Sequence, residues 1–204
     1  MPDQKQLAVL VFAGHMIDAP GRAKPRFPPE LEDAVSRLIR TEIIRRNGQA
    51  AYAAAASGSD ILFLEQMLAL KREVNIVLPV EPAAFKERSV KAAGASWLDR
   101  FDNLLPQAVS LQVVEPSNPA SFSSSLAVCN LRLCELAAAR AKQKQMALFG
   151  LAVLDCAQPG TQSGGGTASM IALWRQQGIR YSCIRLDSAP AICNECDINK
   201  GAAS

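Results

Sequence analysis

The chain has 204 residues, of which 49% are hydrophobic and 20% charged, the composition of a globular protein with one sizeable core and little room for two compact domains. Its formal net charge of +3 falls short of the concentrated Lys/Arg excess of polyanion binders, so neither nucleic acid nor a membrane surface is expected as a partner. The first apolar run is too short for a secretion signal or a membrane span, and a cytoplasmic location is expected.

Residues 7–13 (LAVLVFA) read as a strand covered on both faces, as in a parallel sheet. Gly14 breaks this run, and a loop rich in proline and basic residues (HMIDAPGRAKPRFPP) leads to Pro29, where a helix can begin because its first turn needs no amide donor there. From residue 30 the period is helical. Leu31, Ala34, Val35, Leu38, Ile39 and Ile43 form an apolar stripe, while Asp33 with Arg37 and Glu42 with Arg46 are placed outside it as i,i+4 ion pairs. Asn47-Gly48 ends the helix and residues 49–56 form a small-residue strand. Ser57-Gly58-Ser59-Asp60 then opens a second helix over 61–70, apolar on nearly every side and so deeply packed.

A third strand is expected at 73–80, helices over 83–105 with a break at Gly94, and a fourth strand at 109–114. Serines in 121–125 lead into a long helix to residue 144, followed by a second fully apolar strand at 146–154. A glycine-rich loop, 158–166, precedes a helix over 168–177 with Thr167 as N-cap and Gly178 as the stop. A sixth strand covers 179–186, and the tail 187–204 carries no periodicity. Strands alternating with helices, without hairpin dipeptides, predict right-handed crossovers. The expected fold is a three-layer, Rossmann-like, doubly wound α/β domain over 1–186 with a mainly parallel sheet of about six strands.

In such a sheet ligands bind beyond the carboxyl ends of the strands, near the point where strand order reverses. Three segments land there. Ser163-Gly164-Gly165-Gly166-Thr167 lets backbone amides approach a ligand at the positive end of a helix, which suits a phosphate. Ser57-Gly58-Ser59-Asp60 repeats the device on the second strand. After the first strand, Gly14 permits a turn that carries the only histidine, His15, together with Asp18 and the basic residues Arg22 and Arg26, which can clamp phosphate oxygens. Glu65 stands out because a carboxylate in an apolar helix must be paired, protonated or turned to a cleft. Glu65, Asp18 and His15 are therefore the candidates for acid–base work. Six cysteines include one C-x-x-C, Cys193 and Cys196, but a structural zinc needs four ligands and the sole histidine is far away in the chain. No metal and no cofactor is expected.

The three loops together resemble the SLOG superfamily, named for Smf/DprA and the Lonely Guy proteins. Val11-Phe12-Ala13-Gly14-His15 resembles the first-strand motif V-F-C-G-S of Lonely Guy proteins, Ser57 to Leu62 is placed like their second glycine motif, and Ser163 to Thr167 is similar to their P-G-G-x-G-T. More closely, HMIDAP at 15–20, Arg26-Phe27-Pro28, GSDILFLE at 58–65 and Gly165-Gly166-Thr167-Ala168 look like a SLOG-type branch found beside bacterial signalling modules. The resemblance spans roughly residues 7 to 186 and implies a Rossmann-like domain that senses or processes a nucleotide. Two features depart from that pattern. Thr167 is followed by Ala168, Ser169 and Met170, where Lonely Guy phosphoribohydrolases carry a glutamate, and Ala53 to Ala56 occupy the place of a glycine run.

The leading expectation is thus a binding or sensing domain for a nucleotide-like, phosphate-containing small molecule. The alternative is an enzyme that cleaves or transfers an N-glycosidic bond of a nucleotide. A third reading is a partner-docking domain with purely structural glycines, and self-association is left open.

Overall fold

The computed structural model describes residues 6–114, 122–156, 165–186 and 189–194. It contains seven strands: β1 (Ala8–Gly14), β2 (Gly48–Ala53), β3 (Glu73–Leu78), β4 (Ser110–Val113), β5 (Ala147–Leu154), β6 (Tyr181–Arg185) and β7 (Ala191–Asn194). They form one sheet in the order β4-β3-β2-β1-β5-β6-β7, parallel throughout except for the β6–β7 pair. Six helices connect them: α1 (Glu32–Arg45), α2 (Ser59–Ala69), α3 (Pro82–Ser89), α4 (Ala95–Leu104), α5 (Phe122–Lys144) and α6 (Thr167–Gln176).

The two faces of the sheet bury separate sets of side chains because successive residues of a strand point opposite ways. Leu10 and Phe12 of β1 join Val35, Ile39 and Ile43 of α1 and the inner side chains of α2, α3 and α4. Val9 and Val11 join Cys129, Leu133 and Ala137 of α5 and Met170, Ile171 and Trp174 of α6. Three layers result, and the architecture is Rossmann-like. The strands lead outward from β1 to β4, and α5 then carries the chain back to β5 on the other side of β1. Strand order therefore reverses between β1 and β5, whose registers match along seven residues from Ala8 with Ala147 to Gly14 with Val153.

The central helix α2 is buried along most of its length, from Ser59 to Leu64 and again at Met67, in keeping with its nearly all-apolar sequence. Phe63 stacks on Phe12 with ring centroids 4.3 Å apart, which fixes α2 over the end of β1. The break at Gly94 appears as expected, with φ of +103° between a short 3-10 turn and α4.

Three expectations are corrected. The segment after residue 186 is not irregular throughout, since Ala191–Asn194 adds an antiparallel edge strand to β6. Glu42 is not on the solvent face of α1 but fully buried. It receives the Ser182 hydroxyl of β6 at 2.7 Å and a forked pair of bonds from Arg45 at 2.6 and 2.7 Å, and these partners together with Arg46 hold its carboxyl below the usual range against the cost of burial. Asp33 and Arg37 form no ion pair among the described residues, whose salt bridges on α1 run through Glu42 and Glu32 instead.

Candidate functional site

At the carboxyl ends of β1, β2 and β5 lies a cavity of about 360 Å³, within the range of about 300–1,000 Å³ typical of small-ligand sites. Its apolar wall comes from Phe12, Phe85, Phe122, Leu126 and Leu133, and its polar groups are His15, Arg26, Asp60, Arg88, Asn130 and Thr167. Loops after three different strands and two helices thus converge on one space, at the point where the topology places a crevice.

The β1 loop is folded by its own residues. His15 N–H donates to Val153 O at 2.9 Å and Ile17 N–H to Ser57 O at 3.1 Å, tying the loop to β5 and to the β2 turn. Asp18 accepts the amides of Arg26 and Phe27 at 2.7 and 2.9 Å and pairs with Arg22 at 3.3 Å. Phe27, fully buried, hooks the returning strand of this loop into the core. That burial is worth roughly 1.5–3 kcal/mol, and it sets the position of its neighbour Arg26. The Arg26 side chain reaches the cavity with its Nε buried and making no hydrogen bond among the described residues. Burial and the nearby Arg22 lower the Arg26 pKa, although it stays a cation.

The β2 turn is sealed in a similar way. Both the amide and the hydroxyl of Ser59 donate to His15 O, at 3.2 and 2.8 Å, and Ser57 N–H donates to Ser89 O at 2.9 Å. Gly58 has φ of +94°, and a Cβ there would overlap the backbone of Met16 and Ile17. A Cβ on Gly14 would strike Ser59. These two glycines allow the β1 and β2 turns to cross in contact.

Asp60 is the group of this turn that reaches the cavity. It is only 7% exposed, and its carboxyl accepts the amides of Ala56 and Gly14. Desolvation outweighs those bonds and pushes its pKa up to about 7. No cation pairs with it among the described residues.

Of the glycine triplet, Gly164 and Ser163 lie outside the described residues. Gly165 has φ of +81° and its hydrogen faces α5, where a Cβ would overlap Leu126 and Ala127. Gly166, with nothing within 4 Å of a Cβ position, borders the open cavity. It is the N-cap of α6 and offers no side chain to the helix amides. The first intrahelical bond is Met170 N–H to Gly166 O at 3.1 Å, so the amides of Thr167, Ala168 and Ser169 come before any intrahelical acceptor. Asn130 of α5 holds this end in place by donating to Gly165 O at 3.0 Å.

The structure therefore brings Gly14, His15, Arg26, Asp60, Gly165, Gly166 and Thr167 to one cavity wall. Asp18, Arg22, Ser57, Gly58 and Ser59 stand behind that wall and shape it. Glu65 is elsewhere, in a two-pronged pair with Arg100 at 2.5 and 2.8 Å that also engages Glu32 and lies over Trp97. Two of the three acid–base candidates, Glu65 and Asp18, are thus committed to other partners. Cys193 lies in β7 and Cys196 outside the described residues, which hold no cluster of three or more metal-ligating side chains. Sequence reasoning missed the lining from α3 and α5. A signal was present in Phe122, Leu126, Asn130 and Leu133, which recur at helical spacing with one polar member in an apolar stripe.

No protein-family model and no curated protein matches the sequence. No helix among the described residues is long and apolar enough to cross a membrane. Among solved structures, the chain is similar to DNA processing protein A (DprA) from Streptococcus pneumoniae, with 13% identity and a TM-score of 0.40 over 86% of this chain and 58% of that one. It is also similar to SuiB from Streptococcus suis in its S-adenosylmethionine-bound structure, with 12% identity and a TM-score of 0.29 over 89% of this chain and 39% of the other. The chain thus spans 58% and 39% of the lengths of these two neighbours.

Proposed function

We propose that this Rossmann-like chain is a SLOG-type binding or sensing domain for a nucleotide-like small molecule, held in the cavity between the ends of β1 and β5. The observation that carries the reading is the convergence, on one wall of that cavity, of the α6 N-terminus capped only by Gly166 and the Arg26 side chain. Helix amides with no intrahelical acceptor and a guanidinium fork are complementary to a phosphate. The phenylalanine and leucine wall beside them offers an apolar berth for a base or sugar. The glycine-threonine step at Gly166-Thr167, which resembles the Lonely Guy motif, falls at this place. A carboxylate for N-glycosidic cleavage does not follow Thr167, and Glu65 and Asp18 have other partners, which favours binding without turnover.

A thermal-shift screen with nucleoside monophosphates, nucleotide sugars and cyclic nucleotides tests this reading. A ligand present at a hundred times its dissociation constant adds about 2.7 kcal/mol of stability. At least one nucleotide should stabilise the wild type, Arg26→Ala should lose most of that shift, and chromatography should detect no released base. The reading fails if no nucleotide stabilises the protein, or if the shift survives both Arg26→Ala and Gly166→Val.

A further inference from the structure

We propose that Cys183 and Cys193 are a redox pair that a peroxide converts to a cross-strand disulfide, fastening the edge strand β7 to the sheet. In the β6–β7 ladder Cys183 stands directly opposite Cys193, between the pairs Ser182 with Asn194 and Ile184 with Ile192. Opposed residues of an antiparallel pair put their side chains on the same face, and both cysteines pack into the core layer on the side of α5 and α6. Both are thiols in this structure. Neither lines the cavity, so the pairing stands whether or not a nucleotide binds there.

The register also sets how readily the bond forms and breaks. Arg180 O accepts the Gly150 amide, and the Leu186 amide donates to Leu154 O, so the even-numbered residues along β6 turn their backbone groups to β5. Those of Cys183 turn the other way, to β7, which makes Cys183 and Cys193 a hydrogen-bonded pair. The Cα atoms of such a pair are about 5.5 Å apart, inside the span of about 4.4–6.8 Å that a disulfide bridges. Its Cβ atoms are about 5.5 Å apart, against about 3.5–4.5 Å in a disulfide, so closing the bond draws β7 inward by about 1 Å. That movement is available, because β7 is a four-residue strand with a neighbour on one side only. The strain that remains favours the thiols in a reducing medium, as suits a reversible switch.

Exposure sets the order of events. Cys183 is fully buried and Cys193 only half-buried, so an oxidant meets Cys193 first. Hydrogen peroxide transfers one oxygen to that sulfur, giving a sulfenic acid and one water. The Cys183 sulfur then attacks, expelling the oxygen as a second water and forming the S–S bond. The two sulfurs together lose two electrons, the peroxide gains them, and both thiol protons leave in the waters. Two equivalents of a small thiol reverse the step. Other described cysteines are poor rivals. Burial pushes the Cys129 and Cys134 thiols up to about 12 and about 11, which suppresses the reactive thiolate. Cys156 lies past the end of β5, whereas Cys183 pairs with Ala152 within that strand. Cys196, in the C-x-x-C with Cys193, lies outside the described residues and is the rival that the test addresses.

The test is peptide mapping of the full chain after hydrogen peroxide treatment, with the remaining thiols blocked by N-ethylmaleimide. Trypsin cuts after Arg180, Arg185 and Lys200, which places Cys183 in peptide 181–185 and Cys193 with Cys196 in peptide 186–200. The two peptides should be joined in oxidised monomer of wild type and of Cys196→Ser, and dithiothreitol should release them. Cys193→Ser, altered at the half-buried position, should give no joined pair. In Cys196→Ser the amides of 191–194 should exchange with solvent about tenfold or more slowly when oxidised than when reduced, because a cross-link restricts local opening of the strand. A bond from Cys193 to Cys196 within one peptide as the main product in wild type, peptides that stay separate in Cys196→Ser, a joined pair found only in covalent dimers, or exchange unchanged by oxidation would each overturn the proposal.

Discussion

The turn after β2 and the turn that enters α6 look alike in sequence, each a small-residue and glycine step before a helix, yet they are built for opposite ends. At the β2 turn the amide and hydroxyl of Ser59 are consumed by His15 O, and Gly58 exists so that the backbone of Met16 and Ile17 can pass against it. At α6 the N-cap residue leaves the helix amides without a side-chain acceptor, and a Cβ on Gly166 would meet only open space. A glycine motif before a helix thus states that something approaches closely. Whether that something is the protein's own chain or a ligand is decided by what stands on the other side.

Substitutions at the two turns should separate these roles, and the largest effect belongs to the sealed one. Gly58→Val combines positive-φ strain with overlap against backbone that cannot yield. It should cost about 4–6 kcal/mol in chemical denaturation or prevent folding outright. A loss of less than about 1 kcal/mol would show that the β1 and β2 turns are not locked together.

Next in size is a pH effect from the one group of the sealed turn that reaches the cavity. Folded Asp60 keeps its proton to about pH 7, whereas the unfolded chain releases it near 3.8. The folded state therefore binds more protons between those values, so Asp60 contributes a loss of stability as pH rises through that window and a constant penalty above it. The full shift corresponds to about 4 kcal/mol. Urea unfolding of wild type and Asp60→Asn across pH 4 to 8 should show the variant gaining on the wild type by up to that amount, and parallel curves would contradict the burial argument.

Smaller changes are expected away from both turns. Glu65→Gln weakens a partly exposed pair with Arg100 and should cost about 1 kcal/mol or less, with nucleotide affinity unchanged. A drop in ligand affinity would return Glu65 to the site. Smallest in stability, and largest in meaning, is Gly166→Val. With φ of −82° and no neighbour for a Cβ, it should alter unfolding by no more than about 0.5 kcal/mol while removing the nucleotide-induced thermal shift. Gly165→Val would not serve, because its clash with Leu126 confuses packing with binding.

Most of the fold was legible because buried parallel strands and amphipathic helices leave long, periodic signals. Thus α2 could be placed from its all-round apolarity and β5 from the nine-residue apolar run at 146–154. What escaped depends on partners distant in sequence. Glu42 looks like a solvent-facing helix residue until β6, 140 positions later, sets Ser182 against it. The four-residue β7 has no alternation of its own and exists as a strand only by pairing with β6. At the site, location after β1, β2 and β5 was enough to gather Gly14, His15, Asp60 and Gly166. The division of labour within the loop was not, since Asp18 turns inward to hold two amides and so delivers Arg26 to the cavity. A basic loop in sequence does not say which of its cations is held in place.

The most direct test of the central claim is to follow backbone amide resonances while titrating the stabilising nucleotide into isotope-labelled protein. The largest shifts are expected at Gly166, Thr167 and Ala168, with Gly58 and Ser59 nearly still because the Ser59 amide and hydroxyl already bond His15 O and Gly58 is packed against the backbone of Met16 and Ile17. Large movements at Gly58 and Ser59 with the α6 amides unmoved would contradict it.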